Sequence, residues 1–242
     1  MKETAKIFDQ IVQERRSVRV YDIEAEFDHE AVQRSIERAI LAPNSSNMQL
    51  WEFYRIKSEE AKKQVAWMCM NQKAAKTAKE LVVIVGRRDL WKKRQRALVQ
   101  EMKRVYPDPY SKQAKRAMNY YENLIPKYYW SDWFGLWGMI KKCIYFFAGL
   151  KRPMIRHGNN ADLRISVHKS AALAAQNFMM SMKAEGYDTC PMEGMDSLRI
   201  KRFLKLPRKA EVVMVIGCGP GAEGGIYSDR FRVPNSEVIL EV

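Results

Sequence analysis

Cysteine and histidine are scarce in this chain of 242 residues, with four of the first and three of the second. Cys69, Cys143, Cys190 and Cys218 lie far apart, form no C-x-x-C pair and sit near no run of histidines. That excludes a structural zinc site and a disulfide-stapled secreted scaffold, and no metal ligand set is expected. A secretory leader is also missing. The N-terminus, MKETAKIFDQIVQERR, is charged from its second residue and has no apolar core or small-residue cleavage site, so the chain reads as cytoplasmic. Long apolar runs are absent too. The greasiest stretch, Trp133 to Leu150, is split by Lys141 and Lys142, each costing about 2.5–3.5 kcal/mol at a bilayer centre, so it is no membrane-spanning helix. No internal repeat is found.

What is abundant is positive charge. Against 28 Asp and Glu stand 42 Lys and Arg, a net charge of +14, while 47% apolar and 11% aromatic residues suffice for a real core. The charge is concentrated: residues 87–160 hold 17 Lys and Arg against 5 Asp and Glu, and 14 of the 26 aromatic residues. This block reads as an insertion or subdomain.

The flanking parts alternate helix and strand. Residues 4–14 place Phe8, Ile11 and Val12 on one helical face, and residues 29–41 follow Asp28 as N-cap and end at Pro43. Trp51 to Ile56 and the β-branched run at 81–85 read as strands, with a helix from Ser58 to Met70 between them. Helix is expected from Arg87 to about Leu124, broken at Pro107 and Pro109. A long helix, Ile165 to Glu185, is closed by Gly186 as a left-handed cap. Its run of small residues around Ser170 to Ala175 suits a tight core or a subunit interface. A short helix after Asp196, a strand at 212–217 and an extended tail from Ile226 complete the chain.

Four stretches could carry chemistry. In Arg15-Arg16-Ser17-Val18-Arg19 an extended backbone would put Arg15, Ser17 and Arg19 on one side, a set suited to chelating phosphate; a solvated basic turn is the plain alternative. The loop Asn44-Ser45-Ser46-Asn47-Met48-Gln49 has five hydrogen-bonding side chains in six residues, fit for the edge of a polar heterocycle or simply for stopping a helix. In Cys190-Pro191-Met192-Glu193-Gly194-Met195-Asp196, backbone amides ahead of a helix could face an electron-rich ligand. Cys190 has no histidine nearby in sequence to activate it and is read as a buried thiol. Finally, five of the 12 glycines fall between 217 and 225, directly after a strand. No helix is expected to follow, so a dinucleotide-binding fold is rejected in favour of a turn into an arm carrying Arg230 and Arg232.

The ordered set RRSVR, APNSSNMQLW, AAQNFMM, CPMEGMD and VIGCG followed by RFR resembles the FMN-dependent nitroreductase family, over residues 4–85 and 162–232. The resemblance implies an α+β fold, a nitroreductase-like sandwich whose mostly antiparallel central sheet is flanked by helices, here with a basic, aromatic-rich helical insertion in a single domain. It implies a homodimer in which one C-terminal arm reaches across the other subunit and the helix around Ala171 to Met179 lies at the interface. By the same resemblance, Arg15, Arg16, Ser17 and Arg19 bind FMN with Arg230 and Arg232 completing the phosphate site, and Asn44, Ser45, Asn47 and Gln49 lie beside the flavin. The amides of Glu193 and Gly194 face the reactive ring nitrogen, Pro191 and Met192 lie beside the ring, and one of Asn71, Lys73 or Lys76 meets the pyrimidine edge.

The family's chemistry implies hydride transfer from NADH or NADPH to FMN and then reduction of a small electron-poor acceptor such as a nitroaromatic or quinone, in ping-pong order. No catalytic side chain is required, and His29, His157 and His168 are read as structural or surface residues. Two expectations attach to residues 87–160. They form a lid over the flavin, and their basic and aromatic surface, with Trp130, Trp133, Phe134 and Trp137, rests on anionic lipid at the inner membrane face. The rivals are a nucleic-acid-binding protein on this scaffold, the weaker candidate because no nucleic-acid motif is present, and a dehalogenase or flavin-modifying enzyme of the same fold.

Overall fold

The computed structural model describes every residue except 1, 107, 109 and 131–135. Pro107 and Pro109, expected to break a helix, and Trp133 and Phe134, expected at lipid, therefore lie outside the described residues. In chain order the elements are α1 (Glu3–Glu14), α2 (His29–Ala39), β1 (Trp51–Ile56), α3 (Glu59–Met68), the single turn α4 (Lys73–Lys76) and β2 (Glu80–Arg87). Then come α5 (Trp91–Val105), α6 (Lys112–Asn119), α7 (Ile125–Tyr129), α8 (Leu136–Lys151), α9 (Asn160–Ala184), β3 (Asp188–Met192), α10 (Ser197–Phe203) and β4 (Ala210–Gly219). The strands form one sheet in the order β1-β2-β4-β3 with every pair antiparallel, the α+β sandwich that the resemblance implied.

Central β2 is covered on both faces, which is why it reads as an unbroken apolar run. Val82 and Ile84 join Met214 and Ile216 under α9 and α2, while Leu81, Val83 and Val85 join Val215 against Val65 and Ala66 of α3 and Ile200 of α10. The helix starts obey local chemistry. Asp28 accepts from the Glu30 amide at 2.8 Å and Ser58 from the Ala61 amide at 3.4 Å, and Gly186 ends α9 at φ +86°.

Two expectations are corrected. β3 stands where only a segment between helices was read. Its five residues include Pro191, which is tolerated because β3 pairs with β4 on one side and on the other meets only a bridge from Ser17 to Thr189. The helix Ile165 to Glu185 starts earlier, at Asn160, because Asn159 and Asp162 form a reciprocal capping box. The small residues of α9 face the core of the chain itself: Ala171, Ala174 and Ala175 are fully buried, packed with the sheet. Small side chains let the helix lie close on the strands, and only the opposite face, with Leu173, Gln176 and Asn177, is exposed.

Residues 87–160 attach through a separate cluster, in which Met48 and Leu50 pack with Ile125, Tyr129, Leu163 and Val167. By contrast α1 buries none of its residues, and Phe8 and Val12 are exposed.

Candidate functional site

The site begins where α1 ends. From Ser17 to Asp22 the chain threads between β3 and the glycine-rich turn. The Val18 amide donates to the Thr189 carbonyl, that of Arg19 to Gly225 at 2.7 Å, and that of Asp22 to Pro220 at 2.9 Å. Tyr21 is buried and its hydroxyl donates to the Gly217 carbonyl at 2.7 Å. The glycines permit this crossing. A Cβ on Gly217 would stand 2.7 Å from the Ala74 carbonyl oxygen, and one on Gly221 2.7 Å from Asp188 Oδ2.

The crossing brings the two ends of the chain together. Arg230 Nη2 donates to the carbonyls of Gln13 and Arg15 at 2.9 and 2.8 Å, satisfying acceptors that α1 leaves open at its C-terminus. Arg16 Nη2 donates to the Ser228 carbonyl at 2.6 Å. Between these strands of contact lies a cleft of about 450 Å³ lined by Arg15, Arg16, Ser17 and Arg19 from one end and by Arg230 and Arg232 from the other. Gln72 and Lys73 form part of its wall, so of Asn71, Lys73 and Lys76 it is Lys73 that reaches the cleft.

Its charge is strongly positive, with Asp229 the one carboxylate in its wall. Among the described residues none of these five arginines forms an ion pair with a carboxylate. Burial, and then the guanidinium groups of Arg230, Arg232 and Arg16, push the Arg15 pKa below its ordinary value. Like charges held this close favour an anion between them.

The 190–196 motif adjoins the cleft through Gln72, whose Nε2 donates to the carbonyls of Gly194 at 2.7 Å and Cys69 at 3.0 Å. Sequence reasoning missed Gln72. The turn that places it, in which Met70 and Asn71 take positive φ, is visible only in the structure. Glu193 and Gly194 are exposed, Pro191 is partly exposed and the Met192 side chain belongs to the core. Cys190 is fully buried, and burial pushes its thiol pKa up, which leaves it inert.

A family model described as the nitroreductase family matches residues 12–220. The chain belongs to the nitroreductase family. Among curated relatives, Protein DrgA of Synechocystis sp. is 27% identical over 227 residues, covering 94% of this chain and 90% of that protein. The oxygen-insensitive NADPH nitroreductase of Helicobacter pylori strain J99 is 23% identical over 212 residues, covering 87% and 85%. Among solved structures, a complex with FMN from Exiguobacterium sibiricum shares the fold at TM-score 0.69 and 23% identity, with 97% of each chain covered.

Two parts of the expected nitroreductase site are not in the wall of the cleft. Pro191, Met192, Glu193 and Gly194 only adjoin the cleft. Asn44, Ser45, Asn47 and Gln49 are absent from its wall. Their loop is rigidly held elsewhere: Asn44 Oδ1 accepts from the Gln49 amide at 2.8 Å, the Ser45 amide donates to Ser170 Oγ at 3.2 Å and the Tyr121 hydroxyl to the Ser46 carbonyl at 2.8 Å. Ser46, Asn47 and Gln49 all take positive φ, of 54°, 49° and 49°. Three such residues without a glycine store strain that the surrounding contacts must hold. Gln49 lines a separate hollow of about 480 Å³ with Arg94 and β1.

Proposed function

We propose that the cleft holds FMN and that the protein is an NAD(P)H-dependent oxidoreductase reducing a small electron-poor acceptor, such as a nitroaromatic or quinone. The observation that carries this reading is the convergence of five arginines, drawn from both ends of the chain, on a cleft whose one lining carboxylate, Asp229, is ion-paired to none of them. A phosphate monoester fits that donor set. Arg15, Arg19 and Arg232 would hold it by charge-assisted hydrogen bonds, Ser17 would donate its hydroxyl, and Arg230 would keep the α1 terminus in place while adding its charge. Lys73 and Gln72 stand on the wall where the pyrimidine edge of the ring system would lie. The exposed Glu193 and Gly194 would offer their amides to the ring, oriented by the Gln72 hydrogen bond to Gly194.

FMN when bound supplies the redox step itself, accepting a hydride from the nicotinamide and passing two electrons to an acceptor that takes its place, hence ping-pong kinetics. The protein's share is to bind, orient and keep the developing negative charge near donors.

The reading includes a second copy of the chain. A groove of about 670 Å³ between α1 and α9 has Phe8, Ile11, Val12 and Met180 at its apolar centre, with Gln176, Asn177, Glu185 and the guanidinium groups of Arg15, Arg38, Arg230 and Arg232 around them, an apolar patch with a polar rim as interfaces have. Loop 44–49, preformed yet away from its own cleft, would then complete the flavin site of the partner subunit, bringing residues 87–160 above it as a lid. The visible absorption spectrum of purified protein tests the cofactor. A flavin spectrum that bleaches anaerobically with NADH or NADPH, and FMN released on denaturation, is the expected result. A colourless protein that takes up no added FMN would overturn the reading.

A further inference from the structure

α8 is turned inside out. Its buried residues are Gly138 and Lys141, with Lys141 Nζ donating to the Tyr128 carbonyl at 3.1 Å and Gly138 passing so near Asn159 that a Cβ would stand 3.3 Å from it. Outward point Leu136, Met139, Ile140, Ile144, Phe147 and Leu150, each between 49% and 68% exposed. At about 100° per residue these positions, with Cys143 and Phe146, fall in one arc of about 160°. A surface helix normally turns that stripe to the core. Here a lysine is taken in and the stripe is left out.

The surroundings of the stripe carry charge of one sign. Residues 136–160 contain five Lys and Arg and no Asp or Glu, and Lys142, Lys151, Arg152 and Arg156 are exposed beside the stripe or just beyond its C-terminal end. Two copies packed stripe to stripe would crowd these cations together with no carboxylate in the segment to offset them. Anionic headgroups would offset them all. No helix among the described residues is long and apolar enough to cross a membrane, so α8 would lie along a bilayer rather than enter it end-on.

We infer that α8 is an interfacial anchor, docking the protein on an anionic lipid surface with Ile140, Ile144, Phe147 and Leu150 immersed and the cations at headgroup level. The docking is independent of the flavin cleft, and it offers a route by which an acceptor dissolved in the membrane could reach the enzyme.

Cys143 supplies the test, because it lies on the stripe and is exposed while Cys69, Cys190 and Cys218 are buried. Full-length protein labelled at Cys143 with a polarity-sensitive fluorophore is mixed with phosphatidylglycerol or phosphatidylcholine vesicles. The expected result is a blue shift and co-flotation with the anionic vesicles only. The unlabelled I140E/F147E variant should float about tenfold less or worse. Equal behaviour with both lipids, or flotation unaffected by I140E/F147E, would overturn the proposal. So would a blue shift that appears without vesicles as protein concentration rises, since the stripe would then be covered by a second copy. Flavin content and bleaching by NADPH, measured on the same samples, separate failure of docking from failure of the cofactor reading.

Discussion

The His29–Glu80–Arg55 cluster and the arginine cleft both gather charge from distant parts of the chain, and they treat it in opposite ways. Glu80 is fully buried. Its Oε1 accepts from Arg55 Nε at 2.6 Å, and its Oε2 meets Arg55 Nη2 at 3.1 Å and His29 Nδ1 at 2.7 Å. In the cleft the guanidinium groups of Arg15, Arg16, Arg19, Arg230 and Arg232 share a cavity without one carboxylate partner. The two arginines at the centres of these clusters respond accordingly. The hydrogen bond donated to Glu80 holds the Arg55 pKa above its ordinary value, whereas burial and neighbouring arginines hold that of Arg15 below. A completed charge cluster serves the fold, and the incomplete one, under the function proposed above, serves a ligand.

Substituting one residue in each cluster would break or sharpen that contrast. The largest effect is expected from Glu80→Ala, which strands a largely buried guanidinium beside an empty site. It should cost about 3–5 kcal/mol of stability, read by urea unfolding, with FMN affinity unchanged in whatever remains folded. Arg15→Ala should do the reverse. Loss of a charge-assisted contact of about 1.5–3 kcal/mol would weaken FMN binding roughly 10- to 100-fold, measured by fluorescence titration, while the flavin-free protein stays as stable or gains from reduced repulsion. Were Glu80→Ala harmless and Arg15→Ala destabilising, the division between structural and binding charge would fail.

How far the sequence foretold these clusters follows from the range of the forces involved. Local signals were legible: Asp28 and Ser58 as caps, Gly186 as a left-handed stop and the apolar run of β2 each announce themselves within a few residues. The basic cluster at 15–19 and the arm at 230–232 were legible as partners because guanidinium pairs at period two suggest one ligand. Glu80 was not, since a lone glutamate at a strand start looks like any surface residue until Arg55 and His29 are brought to it. Neither was β3, whose Pro191 argues against a strand until the edge position excuses it. Neither was the purpose of Met48 and Leu50, apolar residues at a polar loop, which is visible only in three dimensions: they are the seat for Ile125 and Tyr129. The small residues of α9 could have served a core or an interface, and periodicity carries no information about which neighbour fills a face.

Glu185 tests the contrast at its weakest point, where a charge pair is neither sealed in nor left open. It ties α9 to α2, accepting from Arg34 Nη2 at 2.7 Å and contacting Arg38 Nη1 as well. Its carboxyl is held below the usual carboxylate range, chiefly by the hydrogen bond from Arg34 and also by Arg38, with burial opposing. A folded-state pKa below the unfolded value of about 4.3 means that the stabilisation is present above that value and is lost as pH falls through the folded one. Glu185→Gln should therefore cost only about 0.2–1 kcal/mol at neutral pH, because the arginines are half exposed and solvent screens them. The deficit relative to the unsubstituted protein should close as unfolding is measured below about pH 4. A deficit that stayed constant with pH would assign Glu185 to packing of α9 on α2, leaving Glu80 as the carboxylate whose charge the fold depends on.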